Sequence, residues 1–355
     1  MAFRTLSLPR QSASRSAVSP RGNTQASILI IALWSLCLLS TFAVILGYEI
    51  RQKLTLVQRL EERDKLYLIA EAAVNKTIIQ IRKENQNPKN YYALNDPLSN
   101  APRAFQGIEI GDGTADICYN YDGQSAQGVI RYGALDEEGK ININEIDLPV
   151  LERLLGIVVD SDQTRAQELA VSIVDWRAQD SELSNPSAGA ESRYYRSLEY
   201  PYKAKDAKFE VLEEVLLVEG MTEDIFTKVK KYITIYGDGK VNVNTAPRAV
   251  LLALGLSGEN TDKILNFRYG NDGLEGTADD NIFDDPSGIA SRLNKTYPLG
   301  DAEILQIDTI SERYLTTSSH YFMIEALAKL NNRKNTARVV CIVDEGGKIL
   351  YWQES

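Results

Sequence analysis

Residues 28 to 47, ILIIALWSLCLLSTFAVILG, form a run of 20 without a charged group. As a helix rising about 1.5 Å per residue, such a run is about 30 Å long, the thickness of a bilayer's hydrocarbon core. Arg4, Arg10, Arg15 and Arg21 precede it with no acid among them, whereas Glu49 follows at once. The positive-inside rule then puts the N-terminus in the cytoplasm and everything after Tyr48 across the membrane. A cleaved secretory signal needs a short apolar core followed by a small-residue site. Here the run leads unbroken into Tyr48, Glu49 and Arg51, so it reads as a retained single-span anchor.

A helical pattern continues beyond the span. Val57, Leu60, Tyr67, Val74, Ile78 and Ile81 recur at spacings of three, four and seven, Glu61 is placed to pair with Lys65, and no proline occurs from 28 to 87. One helix of about 80 Å from Ile28 to Arg82 is expected, its first half in the membrane and its amphipathic second half packed on a head.

Strand character appears at Gly107–Ile110, Ala115–Tyr121 and Gly128–Leu135, between GDG and YDG turn signals, and returns at Tyr321–Leu327 and in RVVCIVDEGGKILYW. Gly346-Gly347 inside the latter predicts a tight hairpin. Residues 136 to 310 read mostly as helices instead: LPVLERLLGI, TRAQELAVSIVDWRAQ, FEVLEEVLLVEG, TEDIFTKVKKYI, PRAVLLALGL and TDKILNFR. The fold class is therefore α+β: a long N-terminal helix on an antiparallel sheet that carries a large inserted helical domain.

Inside the insert lies a repeat. Gly139-Lys140-Ile141-Asn142-Ile143-Asn144 recurs one hundred residues later as Gly239-Lys240-Val241-Asn242-Val243-Asn244, each before a proline and a helical hairpin. A SAM-like or helix-hairpin-helix-like fold is expected for it. The hairpin turns, GIVVDSDQT and GLSGENTD, are acidic and lack the paired glycines and lysines that would hold a phosphate. The asparagines are expected to close turns and cap helices.

With 44% hydrophobic and 25% charged residues among 355, the composition is globular and long enough for two domains. Beyond residue 48 stand 35 basic against 49 acidic groups, a net charge of −14, so nucleic acid is not an expected partner. Catalytic patterns are missing: the single histidine, His320, sits in a strand-like SSHYF, and G-x-S-x-G, H-E-x-x-H, P-loop and CxxC motifs do not occur. No enzyme is expected. Cys118 and Cys341 are the pair outside the apolar run, either disulfide-bonded or buried as free thiols. Asn271-Asp272-Gly273-Leu274-Glu275-Gly276-Thr277-Ala278-Asp279-Asp280 offers oxygen donors around flexible glycines, the kind of loop a hard cation such as calcium needs, or else a plain solvated acidic loop.

The span and continuing helix resemble those of type IV pilin-like proteins, and Arg21-Gly22 ahead of a polar stub is similar to the site cut by prepilin peptidase. Cleavage between Gly22 and Asn23 is expected, with cleavage after Ala26 as the alternative; neither puts a glutamate at the fifth mature position, where most pilins carry one. Asp175-Trp176-Arg177, Gly189-Ala190-Glu191, Tyr194-Tyr195, LEEVLLVEGMTEDIF, YGDGKVNVNTAP and ILYWQES stand in the order found in type II secretion protein K, the minor pseudopilin family this chain resembles. That family lacks the fifth-position glutamate.

The resemblance implies a tip subunit of the pseudopilus in the bacterial inner membrane. Its partners would be minor pseudopilins I and J and prepilin peptidase, and its work would be to start assembly for export of folded proteins. It also points to calcium ligands among Asp175, Asp180, Glu182 and Glu191, beside Asp272, Asp279 and Asp280 of the glycine-rich loop. The expected layout is a cleaved leader over 1–22, an anchor over 23–48, helix and first strands over 49–135, the insert over 136–310 and closing strands over 311–355. A subunit of a type IV pilus or DNA-uptake fibre is the alternative, and a simple anchored binding protein the third.

Overall fold

The computed structural model describes residues 24–86, 89–121, 128–159, 163–179, 184–185, 189–331 and 333–355, with no side-chain account of 24–27. Helix α1, Thr24–Asn85, runs from before the apolar run to beyond the expected Arg82. The chain divides after Glu61. In the first unit Ile28 onward is exposed and apolar enough to cross a membrane.

In the second unit, from Glu62, α1 buries Leu66, Ile69, Ala70, Ala73, Val74, Thr77, Ile78 and Ile81. Val74, Ile78 and Ile81 are as expected and Tyr67 packs half-buried against the same core, but Val57 and Leu60 are exposed, and the stripe is centred on Leu66 and the two alanines. Small side chains bring the sheet close: at Gly113 a Cβ would meet Ile69 Cδ1 at 2.6 Å. Lys65 pairs with Asp112 at 3.5 Å, not with Glu61.

After the short α2, Pro102–Phe105, come β1 (Ile108–Ile110), β2 (Gly113–Tyr121), β3 (Val129–Tyr132) and β4 (Leu135–Asp136). The expected single strand over 128–135 is thus two. They break at Gly133, where a Cβ would strike the Leu98 carbonyl at 2.2 Å.

The insert follows in two similar passes. The first is β5 (Ile141–Asn142), α3 (Leu148–Val158), α4 (Gln163–Arg177), α5 (Ser192–Tyr195), α6 (Glu223–Val229) and β6 (Ile233–Thr234), which pairs parallel with β5. The second is β7 (Val241–Asn242), α7 (Arg248–Ala253), α8 (Gly258–Arg268), α9 (Ile289–Leu293), α10 (Asp301–Tyr314) and β8 (Leu315–Thr316), parallel with β7. The boundary expected at 310 falls inside α10, since the second pass closes only at Thr316. The helix expected over FEVLEEVLLVEG is a 3₁₀ helix at Leu212–Leu217. Asn144 holds the Phe209 backbone on one side and Val218 leaves extended on the other, and a short 3₁₀ segment of about two turns stands between them.

Strands β9 (Tyr321–Leu330), β10 (Thr336–Asp344) and β11 (Ile349–Glu354) complete an antiparallel sheet in the order β1-β2-β9-β10-β11, with β3 on β2 and β4 on β9. Two large cores result, one between α1 and this sheet and one inside the insert, beside a small third cluster of Leu94, Tyr119 and Tyr121. The β10–β11 hairpin turns at Gly346-Gly347 as expected, and the end of α1 clamps it: Arg82 Nε donates to the Gly346 carbonyl at 2.8 Å. Cys118 and Cys341 are free thiols. Strand β9 lies between β2 and β10, which separates them by two strand spacings of about 4.8 Å and leaves them outside disulfide reach.

Candidate functional site

The GKxNxN motif builds the same clamp twice. In each copy the first asparagine accepts from the second asparagine's N–H at 2.9 Å, closing a turn. The second then exchanges two hydrogen bonds with a distant phenylalanine backbone, Asn144 with Phe209 and Asn244 with Phe283, at 2.8–3.0 Å. An arginine from the hairpin's second helix completes each copy: Arg177 donates to the Ile143 and Ile146 carbonyls, Arg268 to those of Val243 and Ala246. Neither asparagine caps a helix, a correction to expectation: the N-cap residues are Asp147 and Pro247. A buried loop full of backbone donors and acceptors has to satisfy them, and an amide side chain does so from both its atoms.

The copies diverge at their first asparagine. Asn142 Nδ2 donates to the Tyr236 and Gly237 carbonyls, within the insert. Asn242 Nδ2 donates instead to the Tyr92 carbonyl, Asp136 Oδ2 and Ser319 Oγ, on the sheet side. Asp136 is buried, accepts also from Thr245 and from the Glu138 N–H, and is pushed up to about 7 by burial and by Glu138. Its neighbours are buried too: Glu137 binds Lys140 and Thr234, and Glu138 receives the His320 N–H. His320 Nδ1 stands 3.3 Å from Glu138, whose carboxylate raises the imidazole to about 8. The histidine is therefore a junction residue at the foot of β9 rather than an ordinary strand position. Sequence reasoning passed over Asp136-Glu137-Glu138; three acids abutting the first GKxNxN were the available signal.

Of the candidate calcium ligands, Asp180 and Glu182 lie outside the described residues. Asp175, fully buried on α4, accepts from the Ser184 N–H at 2.9 Å, and the neighbouring Gly189, at φ +100°, has no Cβ to strike its carboxylate. Glu191 caps α5 by accepting from the Ser192 N–H. In the glycine-rich loop the three aspartates Asp272, Asp279 and Asp280 turn onto their own loop. Asp272 accepts from the Leu274 N–H, Asp279 from Thr277 Oγ1 and the Asn271 and Asp272 N–H groups, Asp280 from those of Gly276 and Thr277. The Thr277 hydroxyl and Asn271 amide hold Asp279 down at about 2, whereas burial raises Asp280. Glu275 leaves the loop altogether for a buried ion pair with Arg268. Among the described residues no three His, Cys, Asp or Glu side chains gather as a metal-holding group. These carboxylates alone do not fit a cation cage, and a hard ion here would need loop carbonyls as well.

The other motif residues pack an aromatic knot. Trp176 meets Tyr195 edge-on at 5.1 Å, and Tyr195 stacks on Tyr202. Between the insert and the outer face of the sheet runs a cleft of about 420 Å³, floored by residues such as Met323 and Ile342 and roofed by Phe226 and Tyr232. The leader site Gly22-Asn23 lies outside the described residues.

Residues 132–238 match the model of a family described as type II secretion system protein K. A chain of the crystal structure titled as the GspK-GspI-GspJ complex from the enterotoxigenic Escherichia coli Type 2 Secretion System superposes with a TM-score of 0.60 at 16% identity. That superposition covers 85% of this chain and 99% of that one. No curated protein matches the sequence. The protein K resemblance and the α+β pilin-like fold with its insert are thereby borne out.

Proposed function

We propose that this chain, bearing the protein K signature over 132–238, works as a minor pseudopilin at the tip of a type II secretion pseudopilus. The observation that carries the reading is the joining of that signature to an exposed apolar helix and a pilin-like sheet in one polypeptide. In this reading residues 28–47 anchor the chain in the inner membrane with the head in the periplasm. Prepilin peptidase removes the leader after Gly22. The insert, a helical body with its own core added to the pilin-like sheet, makes the subunit a terminus rather than a repeating unit, so it starts assembly and leads export of folded proteins. Small residues along the span, Ala32, Ser35, Ser40 and Ala43, let neighbouring helices approach.

Size-exclusion chromatography of the full chain in detergent with the soluble domains of minor pseudopilins I and J from the same source tests this. A ternary complex is expected. No complex, together with salt-sensitive DNA binding, would turn the assignment toward an uptake fibre.

Calcium is proposed for the 271–280 loop on its oxygen density, with Asp272, Asp279 and Asp280 contributing beside loop carbonyls. Millimolar calcium should then raise the melting temperature of the chelator-treated protein by several degrees through linkage, and an unchanged melting curve removes the ion from the picture.

A further inference from the structure

The main path of the sheet ends in two unlike edges, apart from the short β3 that hangs on β2. β1 is three residues long with Glu109 at its centre, a short, charged edge of the kind that resists pairing. β11, ILYWQE, is twice as long and holds neither lysine nor proline. Its strand neighbour among the described residues is β10 alone. Arg338 and Ser355 exchange both backbone hydrogen bonds, at 3.0 and 2.9 Å, so by the antiparallel alternation Trp352 and Glu354 turn their N–H and C=O groups outward. Ile349 and Leu350 remain 46% and 37% exposed on the same strand.

The face of β11 adds a second observation. Tyr351 and Gln353 line the 420 Å³ cleft between sheet and insert. A strand added to this edge would place the residues opposite Tyr351 and Gln353, two apart, on the cleft side. The volume suits two or three apolar side chains entering beside Tyr351 and Gln353. Backbone groups facing outward specify an extended polypeptide as occupant, and a cavity in line with alternate positions specifies its side chains.

We propose that β11 accepts an extended segment of a second polypeptide by strand addition, with alternate apolar side chains of that segment entering the cleft. The partner is taken from the minor pseudopilins I and J, so the inference rests on the proposed function. The full chain in detergent is mixed with those two soluble domains and read by titration calorimetry and by hydrogen exchange of residues 349–355. Two variants are compared with wild type. Leu350→Lys puts a charge on the exposed edge, and Glu354→Pro removes an outward N–H while leaving the β10 ladder intact; urea unfolding verifies that both are folded.

Binding should slow exchange at 349–355, and each variant should weaken it at least ten-fold with little change in the urea midpoint. Undiminished binding by both variants, without protection at 349–355, overturns strand addition and leaves the pseudopilin assignment standing. Failure of the wild-type chain to bind either domain overturns both.

Discussion

The two passes of the insert share one clamp and differ in what surrounds it. Arg177 and Arg268 each hold two carbonyls of their own GKxNxN turn. Among the described residues Arg177 meets no buried carboxylate, and burial lowers its guanidinium against the raising effect of Glu145 and Asp147. Arg268 is buried against Glu275 and the Tyr121 hydroxyl, and Arg131 lies over the Tyr121 ring at 4.6 Å. The first asparagines diverge in the same sense, Asn142 inward to the insert and Asn242 outward to the sheet. One copy keeps the clamp as internal architecture; the other has turned it into the joint that carries the insert.

The largest test of that division is the arginine pair. Arg268→Ala leaves Glu275 buried without its counter-charge, and breaking such a pair costs about 3–5 kcal/mol. Arg177→Ala removes hydrogen bonds to two carbonyls, a loss of about 1–3 kcal/mol. Urea unfolding of the full chain in detergent should rank them in that order. Equal losses would mean that the two clamps are interchangeable and that the joint lies elsewhere.

A smaller separation is expected one position away. Asn244→Ala orphans the Phe283 backbone groups in a fully buried setting, whereas Asn144→Ala orphans those of Phe209 where water has partial access. Costs of about 2–3 and about 1–2 kcal/mol follow from the price of unmet buried polar groups. Exchange rates at the Phe283 and Phe209 amides would locate each loss. Faster exchange in both loops from either substitution would show one cooperative clamp instead of two.

Much of this was legible in sequence. The span, the helix beyond it, the sheet strands, the glycine hairpin and the repeat all follow from local patterns: an uncharged run, period-two alternation, a doubled motif. What was not legible depends on partners far along the chain. Asn144 and Asn244 read as caps because capping is the common local use of asparagine, while their partners Phe209 and Phe283 lie 65 and 39 residues away. Glu275 read as one donor in an acidic loop because nothing nearby reveals that Arg268 reaches it. The junction acids Asp136, Glu137 and Glu138 look like a solvated turn until the second pass folds over them. The stripe on α1 was misplaced for a related reason: alanines carry little hydrophobic signal, yet Ala70 and Ala73 set how close the sheet comes.

The smallest effect concerns pH, and it belongs to the joint alone. His320 is raised from its ordinary 6.5 to about 8 by Glu138, so the charged imidazole favours the folded state. That contribution is complete below about pH 6.5 and is lost as pH rises through 8. Because the ring is half exposed, screening holds it to about 1 kcal/mol or less. Asp136 acts in the same direction at lower pH: raised to about 7, it favours folding when protonated, and its contribution fades between about 4 and 7. Wild-type stability should therefore decline from pH 6.5 to 8.5, and His320→Gln should flatten that interval while leaving the slope below pH 6.5. Among the described residues Asn142 Nδ2 donates to backbone carbonyls and to no carboxylate, and no histidine stands at its turn, so hydrogen exchange there should not follow pH beyond the intrinsic rate. A matching pH response at the Asn142 turn would mean that the two passes open together, and the joint could not then be assigned to the second alone.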